Sequence, residues 1–272
     1  MTDKELRKVQ LLQLEMAKEV KRICEKYGIS YFLDAGSMLG AVRHKGFIPW
    51  DDDLDIGFLK EEYDKFVIAA RTDLNEKYYL HDSSVDDAYG LTFGKIRLKG
   101  TKFVENMSEK NSAAKEIYID LFPYDNRAEN EREARKEAAQ FRVYAHLLMI
   151  KCRMYVWKGQ GVKKWLKFLP FCVLSLLYTK QKLRNKIEQI TSKHAGEHSS
   201  EVYIHDGTAA YYWHFPRGLI ENLQEAEFEG ELFPIPEDYD KFLTIAYGNY
   251  MELPPENKRK THNIIELDFG EW

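Results

Sequence analysis

Four aspartates fall within five residues at Asp51-Asp52-Asp53-Leu54-Asp55. Ile56-Gly57-Phe58 carries the run on as an apolar segment, so Leu54 to Phe58 is predicted to be a strand. Side chains of a strand alternate faces, which puts Asp53 and Asp55 on one side and turns Leu54 into the core. Two carboxylates side by side repel unless a cation sits between them. Hard oxygen donors at this spacing suit Mg²⁺ or Mn²⁺ carrying a substrate phosphate. Most short acidic runs are solvated turns, but an apolar residue between the acids and a strand behind them point to metal binding.

Gly36-Ser37 precedes Asp53 by sixteen residues, at the end of a short apolar stretch. Glycine lets backbone come close to a phosphate, and Ser37 adds a hydroxyl beside the amides of a helix start. A Gly-Ser pair alone is an ordinary turn. Strand, Gly-Ser, short helix and acidic strand in succession describe a nucleotidyltransferase-type site. Asp120 is a candidate third carboxylate: Ile119 and Leu121 flank it in strand pattern, on a strand expected beside Leu54–Phe58. It could complete a metal site or accept a proton from an attacking hydroxyl. Asp125, beyond Pro123, competes less well for that role. Arg43, His44 and Lys45 precede the acids, and Lys95 and Arg97 share a face by the period of two. Such cations could offset phosphate charge, with Arg43 and Arg97 the best placed.

The elements that must position these residues follow from periodicity and caps. Thr2 with Glu5 makes a capping box, apolar residues recur at helical spacing to Cys24, and Gly28 ends a helix of residues 3–27. Strands are expected at 29–33, 54–58, 78–81, 91–98, 102–105 and 116–121. Helices are expected at 38–44, 61–71, 127–157 and 239–247. The fold class is α+β: a nucleotidyltransferase-like mixed sheet flanked by helices, with a helical subdomain in the second half. The 272 residues are expected to form one catalytic domain, with a core at 1–126, a helical and basic region at 127–200, and a closing segment at 201–272.

Residues 151–187 carry ten Lys or Arg and no acid. Within them Phe168 to Tyr178 is apolar but too short to span a bilayer, which needs ~20 residues. Residues 162–178 are therefore either an interfacial membrane anchor or a buried helical hairpin with a solvated basic face. Over the whole chain 40 basic and 44 acidic side chains give a net charge of −4, which argues against a nucleic-acid footprint. Three scattered cysteines (Cys24, Cys152, Cys172) read as reduced thiols, and the polar start lacks a signal peptide's pattern. A cytoplasmic location is expected, with peripheral contact at the inner face of the membrane an open option.

The stretch from Ala35 through Gly36-Ser37-Met38-Leu39-Gly40 and Pro49-Trp50-Asp51-Asp52-Asp53-Leu54-Asp55-Ile56 resembles the LicD family signature almost letter for letter. Gly94 to Leu98, Ile119 to Asp125, Phe233 to Tyr239 and Tyr247 to Met251 add to the likeness, and residues 127–200 are its weakest part. The resemblance implies transfer of a phospho-alcohol, most often phosphocholine from a CDP-activated donor. The acceptor would be a hydroxyl of a cell-surface glycan, as in lipopolysaccharide or teichoic acid modification, or its lipid-linked precursor. CMP would leave. It also makes Asp53 and Asp55 the metal-binding pair and Asp51 and Asp52 flanking acids. A choline group would want an aromatic cage, for which Trp50, Tyr211, Tyr212 and Trp213 are candidates. His262 could reach the site, although a surface position is its simpler reading. A glycosyltransferase using D-x-D to hold a nucleotide sugar's metal is the alternative activity. A catalytically silent glycan- or lipid-binding module on the same fold is a third.

Overall fold

The computed structural model describes residues 1–158, 161–204, 213–259 and 261–272. Helix α1 (Asp3–Tyr27) opens with the expected capping box: Thr2 Oγ1 accepts from the Glu5 N–H, and the Glu5 carboxylate accepts from the Thr2 N–H at 2.7 Å. Gly28 ends it at φ 63°, a left-handed conformation that glycine enters without a steric cost. Strand β1 (Phe32–Leu33), helix α2 (Ala35–His44), strand β2 (Asp55–Leu59) and helix α3 (Lys60–Asp73) follow. Strands β3 (Tyr78–His81), β4 (Gly94–Leu98), β5 (Lys102–Glu105) and β6 (Tyr118–Asn126) come next. The helical part comprises α4 (Glu131–Lys151), α5 (Val162–Ser175) and α6 (Lys180–Thr191). The chain closes with β7 (Glu201–Ile204), β8 (His214–Pro216), α7 (Arg217–Glu221), β9 (Leu223–Phe228), β10 (Glu231–Pro236), α8 (Tyr239–Tyr247) and β11 (Ile264–Asp268).

The main sheet has the order β1-β2-β6-β4-β3, with β7 on the far end of β6 and β8 beside β7. Only the β2–β6 pair among these is parallel, so the sheet is mixed and the fold α+β, as its alternation of patterns predicts. Two small antiparallel pairs, β9–β10 and β5–β11, stand apart from it. One large core gathers the inner stripe of α1 (Val9, Met16, Val20, Ile23) with Phe58, Phe66, Ile119, Leu121 and Phe242. A smaller one joins α4 and α6 to β7 through Phe141, Leu148, Leu183, Ile187 and Tyr203. No described helix is long and apolar enough to cross a membrane.

Element bounds shift where side chains override periodicity. Helix α2 begins at Ala35 because Asp34 caps it, its Oδ1 accepting from the Ala35 N–H at 2.7 Å. Gly36-Ser37 is thereby drawn into the first helical turn. Strand β6 continues through Pro123, where Leu121 is its predicted end. On one side Pro123 faces Phe58 of β2. On the other, pairing with β4 stops at Leu121 and pairing with β7 starts only at Tyr124. A residue without an N–H fits that gap. Helix α4 starts late, at Glu131, because Asn130 accepts from the Glu133 N–H, and Arg127 still donates its N–H to Glu201 O.

Candidate active site

Strand register assembles the polar residues into a row. Asp55 on β2 stands opposite Asp120 on β6, Asp120 opposite Lys95 on β4, and Lys95 opposite His81 on β3. Residues opposite one another on neighbouring strands share a face, ~4.8 Å apart along the hydrogen-bonding direction. Asp34, one residue past β1, extends the row by donating its N–H to Asp55 O at 3.0 Å. The Asp34 carboxylate is fully buried, and its Oδ2 accepts from the Tyr124 hydroxyl at 2.8 Å. Asp125 lies five residues beyond Asp120, an odd step that puts it on the opposite face, paired in register with Tyr203 of β7.

The two strand cations are buried with the row. Lys95 Nζ donates to Asp120 Oδ1 and stands 3.3 Å from the centroid of the Tyr118 ring. Arg97, on the same face, lies 5.3 Å from that ring, but its guanidinium donates to His81 Nδ1 and to Glu116 O, both at 2.7 Å. Lys95 thus serves the acids directly, whereas Arg97 holds His81 and the adjoining strand.

The acidic loop is pinned by its backbone. Gln10 Nε2 donates to Asp51 O at 2.8 Å, and Gln13 Nε2 donates to Asp52 O at 2.9 Å and Tyr118 O at 3.1 Å. Both glutamines are buried, one turn apart on the inner face of α1. A polar pair within an otherwise apolar stripe was the signal in the sequence, and reading the stripe as simple core misses it. Because the loop is tied in this way, Asp53 precedes β2 and is not part of its ladder. Asp51 turns inward over α2: a Cβ on Gly36 would stand 2.7 Å from Asp51 Oδ2, so any larger residue there would have to push that carboxyl aside. Ser37 Oγ accepts from the Asp55 N–H at 2.8 Å, tying α2 to the head of β2 and leaving the hydroxyl proton to donate elsewhere.

Crowding shows in the acids' proton affinities. Burial and the neighbouring charges of Asp53 and Asp52, together with a hydrogen bond to Asp53, push Asp51 up to about 9. Burial also drives Asp55 well above the carboxylate range, with Asp53, Asp120 and Asp34 adding to it. Asp120 is raised by burial, against the pull of Lys95. Asp51 and Asp52 thus stand inside the cluster, not on its flank. Asp52 accepts at Oδ1 from His262, from the backbone N–H at 3.1 Å and the ring Nδ1 at 3.0 Å, while its buried Oδ2 has no hydrogen-bond partner among the described residues. Burial opposes a charge on His262, but the Asp52 bond and the charges of Asp53 and Glu105 prevail and raise it to about 10. His262 is a surface residue, 41% exposed, whose inner edge is bonded to the acidic loop.

These residues suit a hard divalent cation. The donor set is almost all carboxylate oxygen, burial and mutual repulsion raise the proton affinity of Asp51, Asp55 and Asp120, and one buried oxygen of Asp52 has no partner among the described residues. Single ligand atoms of Asp52, Asp53 and His262 lie within 4.8 Å of one another. Asp53, Asp55 and Asp120 do not form so tight a trio among the described residues.

The remaining candidates are dispersed around this centre. Arg43 donates from NH1 to Tyr250 O at 2.9 Å and from Nε to His44, which ties it to the closing segment. Lys45 pairs with Glu227 on the surface. The Arg259 guanidinium covers the Trp50 ring at 4.5 Å. Trp213 meets Tyr247 edge-on at 5.5 Å, and burial plus the charges of Asp55, Asp34 and Asp51 push the Tyr247 hydroxyl up. Tyr247, absent from the candidates read in sequence, therefore stands beside the acids. Tyr211 and Tyr212 lie outside the described residues.

Known proteins resemble this chain across the same elements. The family described as LicD/FKTN/FKRP, nucleotidyltransferase domain, matches residues 28–149. Lipopolysaccharide cholinephosphotransferase LicD of Haemophilus influenzae is 30% identical over 271 residues, spanning 96% of this chain and 97% of that protein. Human ribitol 5-phosphate transferase FKRP is 32% identical over 110 residues, 40% of this chain and 20% of that protein. An uncharacterized Rickettsia prowazekii protein, RP689, is 46% identical over 48 residues, 18% of each. A likeness that runs the length of the chain, with its family match spanning the sheet row from Asp34 to Asp120, fixes the assignment: the chain belongs to the LicD family and is a phosphotransferase.

Proposed function

We propose that this enzyme moves a phospho-alcohol, most simply phosphocholine from CDP-choline, onto a hydroxyl of a cell-surface glycan or its lipid-linked precursor. CMP is the leaving group. The observation that carries this reading is the in-register row Asp55–Asp120–Lys95 beside the inward-turned acids of the loop. Support for the type of group comes from the full-length relative, named as a cholinephosphotransferase, and from the shorter match to a ribitol 5-phosphate transferase.

Mg²⁺ or Mn²⁺ would be held by Asp53, Asp55 and Asp120, with Asp51 close by. When bound, the ion offsets charge on the donor diphosphate. The chain's own residues supply position and a proton acceptor. Asp120, raised by burial but held toward its charged form by Lys95, takes the proton of the acceptor hydroxyl, while Lys95 fixes its orientation. The α2 amides and the free proton of Ser37 face the phosphate end of the donor. Trp213 and Tyr247 offer aromatic faces to a cationic alcohol, whereas the Trp50 ring is taken by Arg259.

The test is nucleotide release from a donor panel with Mg²⁺. CMP from CDP-choline or CDP-ribitol, lost in Asp55→Asn and Asp120→Asn, is the expected result. Release of UMP or GDP from nucleotide sugars, with CDP-alcohols inert, would establish the glycosyltransferase reading instead.

A further inference from the structure

Helix α5 directs its apolar side outward. Phe168 and Phe171 pack inward on His146 and Trp157, at ring distances of 5.5, 5.8 and 4.9 Å. The opposite side presents Trp165 (44% exposed), Leu166 (53%), Leu169 (41%) and Val173 (62%). At 3.6 residues per turn these four fall within an arc of about 100°. Leu176 and Leu177, in the turn that follows, are 76% and 75% exposed. Single exposed leucines are ordinary on a protein surface; a continuous stripe of six marks an interaction site.

Charge identifies the partner. The stripe sits in the segment with ten Lys or Arg and no acid. Lys180 and Arg184 pair with Asp87, and Lys158 with Glu109. Lys163 and Lys167, on α5 itself, make no ion pair among the described residues. An open groove beside the helix is lined by Lys110, Lys158, Tyr155, Trp157 and Trp165, the mix of amphipathic rings and lysines that favours a headgroup layer. At 14 residues α5 is ~21 Å long, short of the ~30 Å hydrocarbon core, so it can lie on a bilayer but not cross it. Two copies stacked through this face would oppose like charges, which disfavours a symmetric dimer.

We propose that α5 and the turn after it dock flat on an anionic lipid surface. Trp165, Leu166, Leu169, Val173, Leu176 and Leu177 enter the headgroup–acyl boundary, and Lys163 and Lys167 meet lipid phosphates. The contact is linked to the site through the chain. Tyr155 donates its N–H to Met107 O at 2.8 Å, in the 3-10 turn Asn106–Ser108 that directly follows Glu105. Glu105 in turn accepts from the Tyr118 hydroxyl at 2.7 Å. Taken with the phospho-alcohol reading, on which this clause alone rests, docking brings the acids to a lipid-linked acceptor.

The test is cosedimentation of the full chain with phosphatidylcholine vesicles, with and without phosphatidylglycerol. Binding to the anionic vesicles only, weakened by salt, is expected. The triple variant Leu166→Ser, Leu169→Ser, Val173→Ser should lower affinity ~10-fold or more, and Lys163→Gln with Lys167→Gln by a similar factor, with unchanged circular dichroism. Asp55→Asn should bind as the wild type does, which separates this proposal from the reaction. No binding of the wild type to anionic vesicles, or undiminished binding of the triple variant, would overturn it. So would a dimer in light scattering that the triple variant disperses, since a second copy would then cover the stripe.

Discussion

Replacing Asp51 by asparagine should make the protein more stable. The carboxyl is largely buried, stands over Gly36 and titrates at about 9 beside Asp53, against an ordinary value of 3.8. A group whose folded pKa is raised contributes fully below its unfolded value and loses that contribution as pH rises through the folded value. At pH 7 the loss spans about three pH units at ~1.4 kcal/mol each, so ~4 kcal/mol is its upper bound. Part of that rise comes from the neighbouring charges of Asp53 and Asp52, which can relax around the altered side chain, so the expected gain is ~2 kcal/mol. The loop should keep its shape, because Gln10 holds the Asp51 carbonyl and not its side chain. Urea unfolding of both proteins in chelator-treated buffer from pH 4 to 9 measures the gap. It should be near zero at pH 4, open steadily above it, and narrow when millimolar Mg²⁺ stabilises the wild-type folded state by mass action. A variant less stable than the wild type at pH 7, or a gap independent of pH, would refute the reasoning.

Three further outcomes follow from the same geometry. Gln13→Leu removes the donor shared by Asp52 O and Tyr118 O, and leaving two buried carbonyls unmatched should cost ~2–4 kcal/mol in urea unfolding. Gly40→Ala would place a Cβ 2.4 Å from the Gly46 carbonyl oxygen, an immobile backbone atom, and should lower thermal stability by ~1–3 kcal/mol. His81 is held below its ordinary pKa by burial and by Arg97, so its share of stability is complete above pH ~6.5 and is lost as pH falls below that. The stability advantage of wild type over His81→Gln should therefore be flat from pH 7 to 8 and shrink toward pH 5; an advantage that grows on acidification would contradict the assignment.

Local signals in the sequence carried much of the fold. The capping box of α1, the apolar run behind Leu54 and the turn chemistry near Gly28 are each decided by residues within a few positions of one another. The same holds for α8, whose observed range is the one periodicity predicts. The pairing of Asp55 with Asp120 was legible because both sit in apolar strands of matching character. What escaped is long-range. Gln13 reaches Tyr118 across 105 positions and His262 reaches Asp52 across 210, and periodicity states which face a residue occupies but not what lies opposite. Asp34 was hidden for another reason: a single acid between an apolar strand and Gly36 looks like a turn residue until the sheet closes around it.

The glutamines of α1 grip main-chain oxygens, and this separates two burdens that active sites often load onto one side chain. Loop shape is set by carbonyls common to every amino acid, so the carboxyls are released from architectural duty. Charge, ligand reach and acidity at positions 51, 52 and 53 can then change by substitution while the path of the chain persists. The scaffold is in that sense a holder with interchangeable tips, suited to a fold whose relatives carry names for both choline and ribitol phosphates.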